Sequence, residues 1–311
     1  MPTNIDARNA KRIMCGVTIC HCGTIIYYGM KIEKARELGF CFGVRRALKI
    51  IETAAEGDIQ IATLGPIVHN KTVVARLKSL GVRVVDNVDG LKGGVIAISS
   101  HGVSPAVYEK IQSRGAKVID TTCPIVRSAQ KAAQRLAKAG FGVIIFGEAS
   151  HPEVRGLLGW AGENAIASMD VDTITGEIVS KRIGILAQTT QSRGEFTAFV
   201  NRLTEKLLPH VQEIRIMNTL CQETQKRQSA AEELAETSGL MIVIGGHNSA
   251  NTRRLAEVCA PLVETHHIEN ADEIDAEWLH GKKKVGITAG ASTPDEAIDQ
   301  VIQRIESLYR V

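Results

Sequence analysis

Short β-branched runs alternate with amphipathic helical stretches along most of the chain, and this alternation limits the fold more than any other feature. The runs are Ile59–Thr63, Val82–Val85, Val95–Ile98, Lys117–Ile119, Val143–Phe146, Ile183–Leu186, Glu213–Met217, Leu240–Ile244 and Lys284–Thr288. Runs this short and this apolar are buried strands, and helices between them make the strands parallel, which predicts an α/β protein. The helical stretches are as legible: in Val126–Ala139, residues Ala129, Ala132, Ala133, Leu136 and Ala137 recur on one face.

The ends of the strands fall into three repeated sets. One type runs through a cysteine into a helix, at Gly39–Val44, Asp120–Pro124 and Asn218–Glu223. A second ends in a polar loop, at Gly65–Asn70, Glu148–Glu153 and Gly246–Asn251. A third gives Ser99–Gly102, Gln188–Gln191 and Gly290–Pro294. Cys41, Cys123 and Cys221 are 82 and 98 residues apart, so each marks a unit of one domain's size. Three similar α/β domains are expected: 30–123, whose first strand could pack with the third domain, 124–217, and 218–311 with a C-terminal helix. Residues 1–29 look separate. They mix β-branched residues with Cys15, Cys20, His21 and Cys22, a regular pattern begins only at Met30, and the segment is expected to be a non-native or poorly ordered extension.

Lys and Arg number 37 against 34 Asp and Glu, scattered in both signs, so nothing points to a nucleic-acid partner. The apolar runs are far shorter than the roughly 20 residues a membrane helix needs, which predicts no membrane partner and a cytoplasmic protein. Seven cysteines at irregular spacing in a chain this large argue against a disulfide framework.

Cys41, Cys123 and Cys221 each sit where a strand becomes a helix, a position whose amides and dipole favour a thiolate. Three such thiolates suit an iron–sulfur cube with one iron left open to bind an oxygen. Another metal remains open, although no C-x-x-C pair supports zinc, as do buried or nucleophilic thiols. Cys259, on a helix over 252–260, reads as packing. His69, His101 and His151 all follow strands and can donate to a diphosphate. Ser249, Asn251 and Ser292 are compact donors in Gly-rich loops that precede helices, with Arg253 and Arg254 one turn on. Glu153 is the one carboxylate embedded in these loops. Beside an anion its pKa should rise, suiting it to deliver a proton, with Thr189 holding a hydroxyl or passing that proton. His151-Pro152-Glu153 also reads as a simple helix start. Neither a P-loop nor a G-x-G-x-x-G occurs, so no bound nicotinamide or flavin is expected.

These motifs together resemble the 4-hydroxy-3-methylbut-2-enyl diphosphate reductases of the non-mevalonate isoprenoid pathway. The resemblance runs from Met30 to Pro294 and is carried by GFCFGVRRA at 39–47, GPIVHN at 65–70, SHGV at 100–103, Cys123-Pro124, HPEV at 151–154, QTT at 188–190, Cys221 with Arg227-Gln228, NSANTRRL at 248–255 and GITAGASTP at 286–294. It implies a cloverleaf of three α/β domains with pseudo-threefold symmetry around one [4Fe–4S] cluster, held by Cys41, Cys123 and Cys221 with one open iron. It implies reductive dehydroxylation of an allylic alcohol diphosphate to isopentenyl and dimethylallyl diphosphates, with electrons from ferredoxin or flavodoxin. His69, His101, Ser249, Asn251 and Ser292 match diphosphate-binding positions. His151 matches a member of the active-site hydrogen-bond network, Glu153 the proton donor and Thr189 the threonine near the hydroxyl. Three departures stand out: Ala250 in place of a serine, Gln222-Glu223-Thr224 after the third cysteine, and Thr121 in place of an alanine. The competing readings are a quinolinate synthase-like dehydratase, which lacks this motif order, and a non-enzymatic cluster sensor.

Overall fold

A computed structural model describes residues 17–19, 24–27, 29–57, 59–89, 93–174 and 180–309. The chain divides into two compact units, Met1–Phe40 with Lys226–Val311, and Cys41–Gln225. Elements are numbered in chain order.

The first unit holds one six-stranded sheet. Its strands are β1 (Val17–Ile19), β2 (Thr24–Tyr27), β3 (Met30–Lys34), β12 (Leu240–Ile244), β13 (Thr265–Ile268) and β14 (Lys284–Ala289), in the order β1-β2-β3-β14-β12-β13. The four strands from β3 to β13 are parallel, while β1 and β2 add antiparallel at the β3 edge. Regular structure therefore begins before Met30, which corrects the expectation that it starts there. Cys15, Cys20, His21 and Cys22 lie outside the described residues. β12 is buried along its whole length and leads into helix α8 (Ala250–Cys259), and Ile242, Ile287, Ile298 and Val301 form the core with helix α9 (Asp295–Tyr309). A strand covered on both faces cannot alternate, so an unbroken Leu-Met-Ile-Val-Ile run is what this position requires.

The second unit holds two four-stranded parallel sheets. One comprises β4 (Ile61–Leu64), β5 (Val82–Val85), β6 (Val95–Ile98) and β7 (Lys117–Asp120) in the order β5-β4-β6-β7. The other comprises β8 (Gly142–Phe146), β9 (Ala165–Ser168), β10 (Arg182–Ala187) and β11 (Glu213–Met217) in the order β11-β10-β8-β9. Their helices are α1 (Phe42–Ala55), α2 (Lys71–Ser79), α3 (Pro105–Ser113), α4 (Pro124–Lys138), α5 (Pro152–Ala161) and α6 (Arg193–Leu207), and α7 (Gln222–Ala235) crosses the division between the units. Ala129, Ala133 and Leu136 of α4 pack with Val143, Ile145 and Leu157, as the spacing predicts.

All three sheets repeat one topology. Within each parallel set the strand first in the repeat is central, its successor lies at the edge, and the third and fourth follow on the other side. The fourth strand is β7 in one sheet, β11 in another and β3 in the third, and each leads into one of Cys123, Cys221 and Cys41. This order creates a switch point between the first and third strands, where adjacent connections leave in opposite directions. Open α/β sheets bind ligands beyond the carboxyl ends of the strands at such points. Among the described residues no helix is long and apolar enough to cross a membrane.

Candidate active site

The switch points carry the polar residues singled out in the sequence. In the second unit, β4 leads to His69, β6 to His101, β8 to His151 and β10 to Thr189. In the first, β12 leads to Ser249 and Asn251, and β14 to Ser292. Several of these loops are closed by a short polar side chain that starts the next helix. Asn70 accepts from the Val73 amide at 3.0 Å, Ser104 from Val107 at 3.3 Å, Ser192 from Glu195 at 3.4 Å and Ser249 from Thr252 at 3.4 Å. Capping by a side chain fixes where the helix begins, and so fixes the loop before it.

His69, His101 and His151 converge. Their ring centroids are 4.7 Å apart for His69 and His101, 6.0 Å for His69 and His151, and 5.4 Å for His101 and His151. One nitrogen from each lies within 4.8 Å of the others. Desolvation, then the neighbouring imidazoles of His69 and His151, hold His101 well below the usual histidine range. It is therefore uncharged at neutral pH until an anion arrives to change the balance. Ser99 Oγ lies 3.3 Å from His101 Nδ1 and steadies that ring.

His151 joins this group to a carboxyl. Its Nδ1 accepts from the Glu153 amide at 3.2 Å, so it does cap α5, as the simple helix-start reading has it. Glu153 is only 2% exposed. Its Oε1 accepts from the Thr189 amide at 2.7 Å and its Oε2 from Thr189 Oγ at 3.0 Å. Burial pushes its pKa up to about 7, against the pull of both Thr189 donors. A carboxyl poised there can give or take a proton at neutral pH.

The cofactor expectation is corrected by the donor geometry. Among the described residues the group of three whose ligand atoms close to within 4.8 Å, and so could hold a metal ion, is the histidine triad, not Cys41, Cys123 and Cys221. The thiols occupy three separate strand-to-helix turns and are not equivalent. Cys41 Sγ is engaged as the α1 cap, accepting from Val44 N at 3.4 Å. Cys123 makes no such bond, and burial pushes its thiol up, with Cys41 and Cys221 adding to the effect and the amides of Ile125 and Val126 opposing it. The helix start favours a thiolate as foreseen, but at Cys123 desolvation is the larger force. Cys259 is wholly buried in the core, where its thiol is pushed up to about 12.

In the first unit, Ser249, Asn251 and Ser292 are all buried. The Asn251 amide has no hydrogen-bond partner at either its oxygen or its nitrogen among the described residues. A buried polar group left so costs about 1–3 kcal/mol, which a ligand would recover.

Two buried glutamines were given no role in the sequence, although Gln188 opens the QTT motif. Gln188 Oε1 accepts from the Glu148 amide at 3.2 Å and from Gln191 Nε2 at 3.1 Å, bracing the loop after β8 against the loop after β10. Gln130 packs against Gly102, whose φ of +70° no side chain adopts easily, and an added Cβ there would stand 2.4 Å from Gln130 Nε2. The only hints were that Gln188 opens its motif and that Gln130 interrupts an alanine stripe.

Three α/β sheets that present polar switch-point loops, with a buried carboxyl beside a histidine triad, define a ligand-binding α/β enzyme. The family model described as LytB protein matches residues 32–306. The chain belongs to the LytB protein family. A relative in Dehalococcoides mccartyi (strain CBDB1), named 4-hydroxy-3-methylbut-2-enyl diphosphate reductase, is 48% identical over 282 residues, covering 90% of this chain and 99% of the relative. One of the same name in Geobacter sulfurreducens is 45% identical, covering 89% and 97%. A solved structure of (E)-4-hydroxy-3-methyl-but-2-enyl diphosphate reductase, described as the terminal enzyme of the non-mevalonate pathway, matches with a TM-score of 0.66 at 41% identity, over 89% of this chain and 99% of the other. That of the Plasmodium falciparum E-1-hydroxy-2-methyl-but-2-enyl-4-diphosphate reductase matches with a TM-score of 0.82 at 25% identity, over 88% and 86%.

Proposed function

We propose that this chain is a 4-hydroxy-3-methylbut-2-enyl diphosphate reductase, an oxidoreductase of the iron–sulfur class acting in isoprenoid synthesis. The reaction replaces an allylic C–O bond with C–H: the substrate takes up two electrons and two protons, and leaves as isopentenyl or dimethylallyl diphosphate plus water. The iron–sulfur group supplies the electrons when bound. Binding, orientation and proton delivery fall to the side chains.

The observation that carries this reading is the buried, near-neutral carboxyl of Glu153, fixed by Thr189 at 2.7 and 3.0 Å. Loss of hydroxide from carbon is slow unless the oxygen is protonated as it leaves, and Glu153 is proposed as the acid that does so. Thr189 orients it and can in turn hold the substrate hydroxyl. His69, His101 and His151 receive the diphosphate. His101, held uncharged in the free site by burial, gains a proton when the anion enters, which strengthens the bond it donates. Within the first unit, Ser249, Asn251 and Ser292 are proposed as anion donors in their own right, with Asn251 gaining the partners it lacks. Ferredoxin or flavodoxin is the proposed electron donor, in the cytoplasm.

The Glu153→Gln enzyme tests the assignment. It keeps shape and both Thr189 contacts in reach but has no acidic proton, so anaerobic turnover with a chemical reductant should fall by on the order of 100-fold to 10,000-fold while substrate affinity changes little. Turnover equal to that of the parent would remove Glu153 from the reaction.

A further inference from the structure

We infer that the face formed by α4 and the edge strand β11 is the docking surface for an acidic one-electron carrier protein. The inference rests on the reductase reading, whose two electrons such a carrier would bring. The fifteen residues of α4 include four cations, Arg127, Lys131, Arg135 and Lys138, and no acid. Lys131, Arg135 and Lys138 are exposed at helical spacing, with Ser128 and Pro124 continuing the same stripe to the helix start. There Ile125 is 41% exposed beside the half-buried Cys123.

The stripe borders a groove of about 370 Å³ lined by Arg135, Leu136, Arg215, Ile216 and Met217. Its far wall is β11, the edge of its sheet, where Ile216 is 51% exposed. Arg215 and Arg182 share the single carboxylate of Glu213, each at 2.7 Å, and both guanidinium groups lie over the Phe141 ring, at 4.6 and 4.2 Å from its centre. One carboxylate between two cations leaves net positive charge held rigidly at the rim of an apolar groove. An apolar centre with Met and Arg inside a polar, charged rim is the composition of a protein interface, and single-sign charge around it selects a partner of opposite sign. Contacts between redox proteins are small and brief, and depend on such steering for their rate. An acidic carrier fits this surface, and a basic one is repelled by it.

The test is a calorimetric titration of the full chain with a ferredoxin of net negative charge, alongside anaerobic turnover driven by reduced methyl viologen. The parent should bind ferredoxin with an affinity that falls as salt rises. The Lys131→Glu/Arg135→Glu variant should bind about tenfold more weakly or worse, Lys131→Arg/Arg135→Lys should bind like the parent, and methyl viologen turnover should be the same in all three. A basic cytochrome c should not bind the parent. Equal ferredoxin affinity in the charge-reversed variant, or no ferredoxin binding by the parent, overturns the docking surface. If binding behaves as expected but no form reduces the allylic diphosphate with methyl viologen, the docking surface stands and the reductase reading falls.

Discussion

At the scale of single residues, the chemistry rests on polar groups held in buried positions. Glu153 is the main case. Its carboxyl has a folded pKa of about 7 against an ordinary value near 4.5, so the protonated form persists to neutral pH. Because the acid form is the proton donor, kcat/KM should be level below about pH 6 and fall as pH rises through about 7, and the residual kcat/KM of Glu153→Gln should lack that limb. The same shift has a consequence for folding. A raised carboxyl pKa stabilises the folded chain most below the unfolded value, and that contribution is lost as pH rises from about 4.5 through about 7. The stability of the parent relative to Glu153→Gln should therefore decline across that window in urea titrations. A parallel pH dependence of the two proteins would contradict the assignment. Asn251 gives a prediction of opposite character. Since its amide has no partner among the described residues, Asn251→Ala should leave the midpoint of thermal unfolding unchanged or slightly raised, while weakening inorganic diphosphate binding by roughly tenfold or more. A clear loss of stability with unchanged affinity would show the amide to be structural.

At the scale of elements, loops are positioned by what the next helix and the opposite loop permit. Gly102 shows this most clearly, with φ +70° and Gln130 Nε2 where a Cβ would go. Gly102→Ala should destabilise the protein by about 1–3 kcal/mol and disturb the neighbouring His101. In a Gln130→Ala background the same change should cost less, since the Gln130 clash is gone and only the backbone strain and the Thr122 Cγ2 contact at 3.0 Å remain, and additive costs in denaturant titration would rule out the Gln130 contact. Gly43 plays a like part, with Cys123 Sγ only 2.7 Å from an added Cβ, which brings the start of α1 against the start of α4. Most elements are legible in the residue pattern. The runs at Val82–Val85, Val95–Ile98, Glu213–Met217 and Leu240–Ile244 are strands with those bounds, and the clearest of them, Leu240–Ile244, is an unbroken apolar run because both its faces are buried. β9 and β13 leave no such mark, because Ala165–Ser168 and Thr265–Ile268 are short edge strands of mixed polarity, mostly half-buried and without a β-branched run.

At the scale of the molecule, the repeated strand order explains why the chemistry of the site shows so plainly in the chain. A ligand site at a switch point draws on two loops per sheet, and each loop must hand over to a helix, so His69-Asn70, Ser249 and Ser292-Thr293-Pro294 leave local marks in the residue pattern. The histidine triad is legible as three residues in repeated loops, and the Glu153–Thr189 pair as a carboxyl and a hydroxyl assigned to the same group. The donor geometry of the cysteines is not. A strand-to-helix turn favours a thiolate in principle, but the desolvation that outweighs it at Cys123 depends on what packs over the turn, and the chain order is silent on that. Gln188 and Gln130 are hidden for the same reason, since bracing between loops is a property of packing.

The most direct measurement of the central claim is the fate of the substrate's oxygen. The purified, reconstituted enzyme, supplied anaerobically with 4-hydroxy-3-methylbut-2-enyl diphosphate and reduced methyl viologen, should convert it to isopentenyl and dimethylallyl diphosphates, with two electrons consumed for each C–O bond lost. Recovery of the allylic alcohol unchanged, or of a product that still carries the hydroxyl oxygen, would contradict the account.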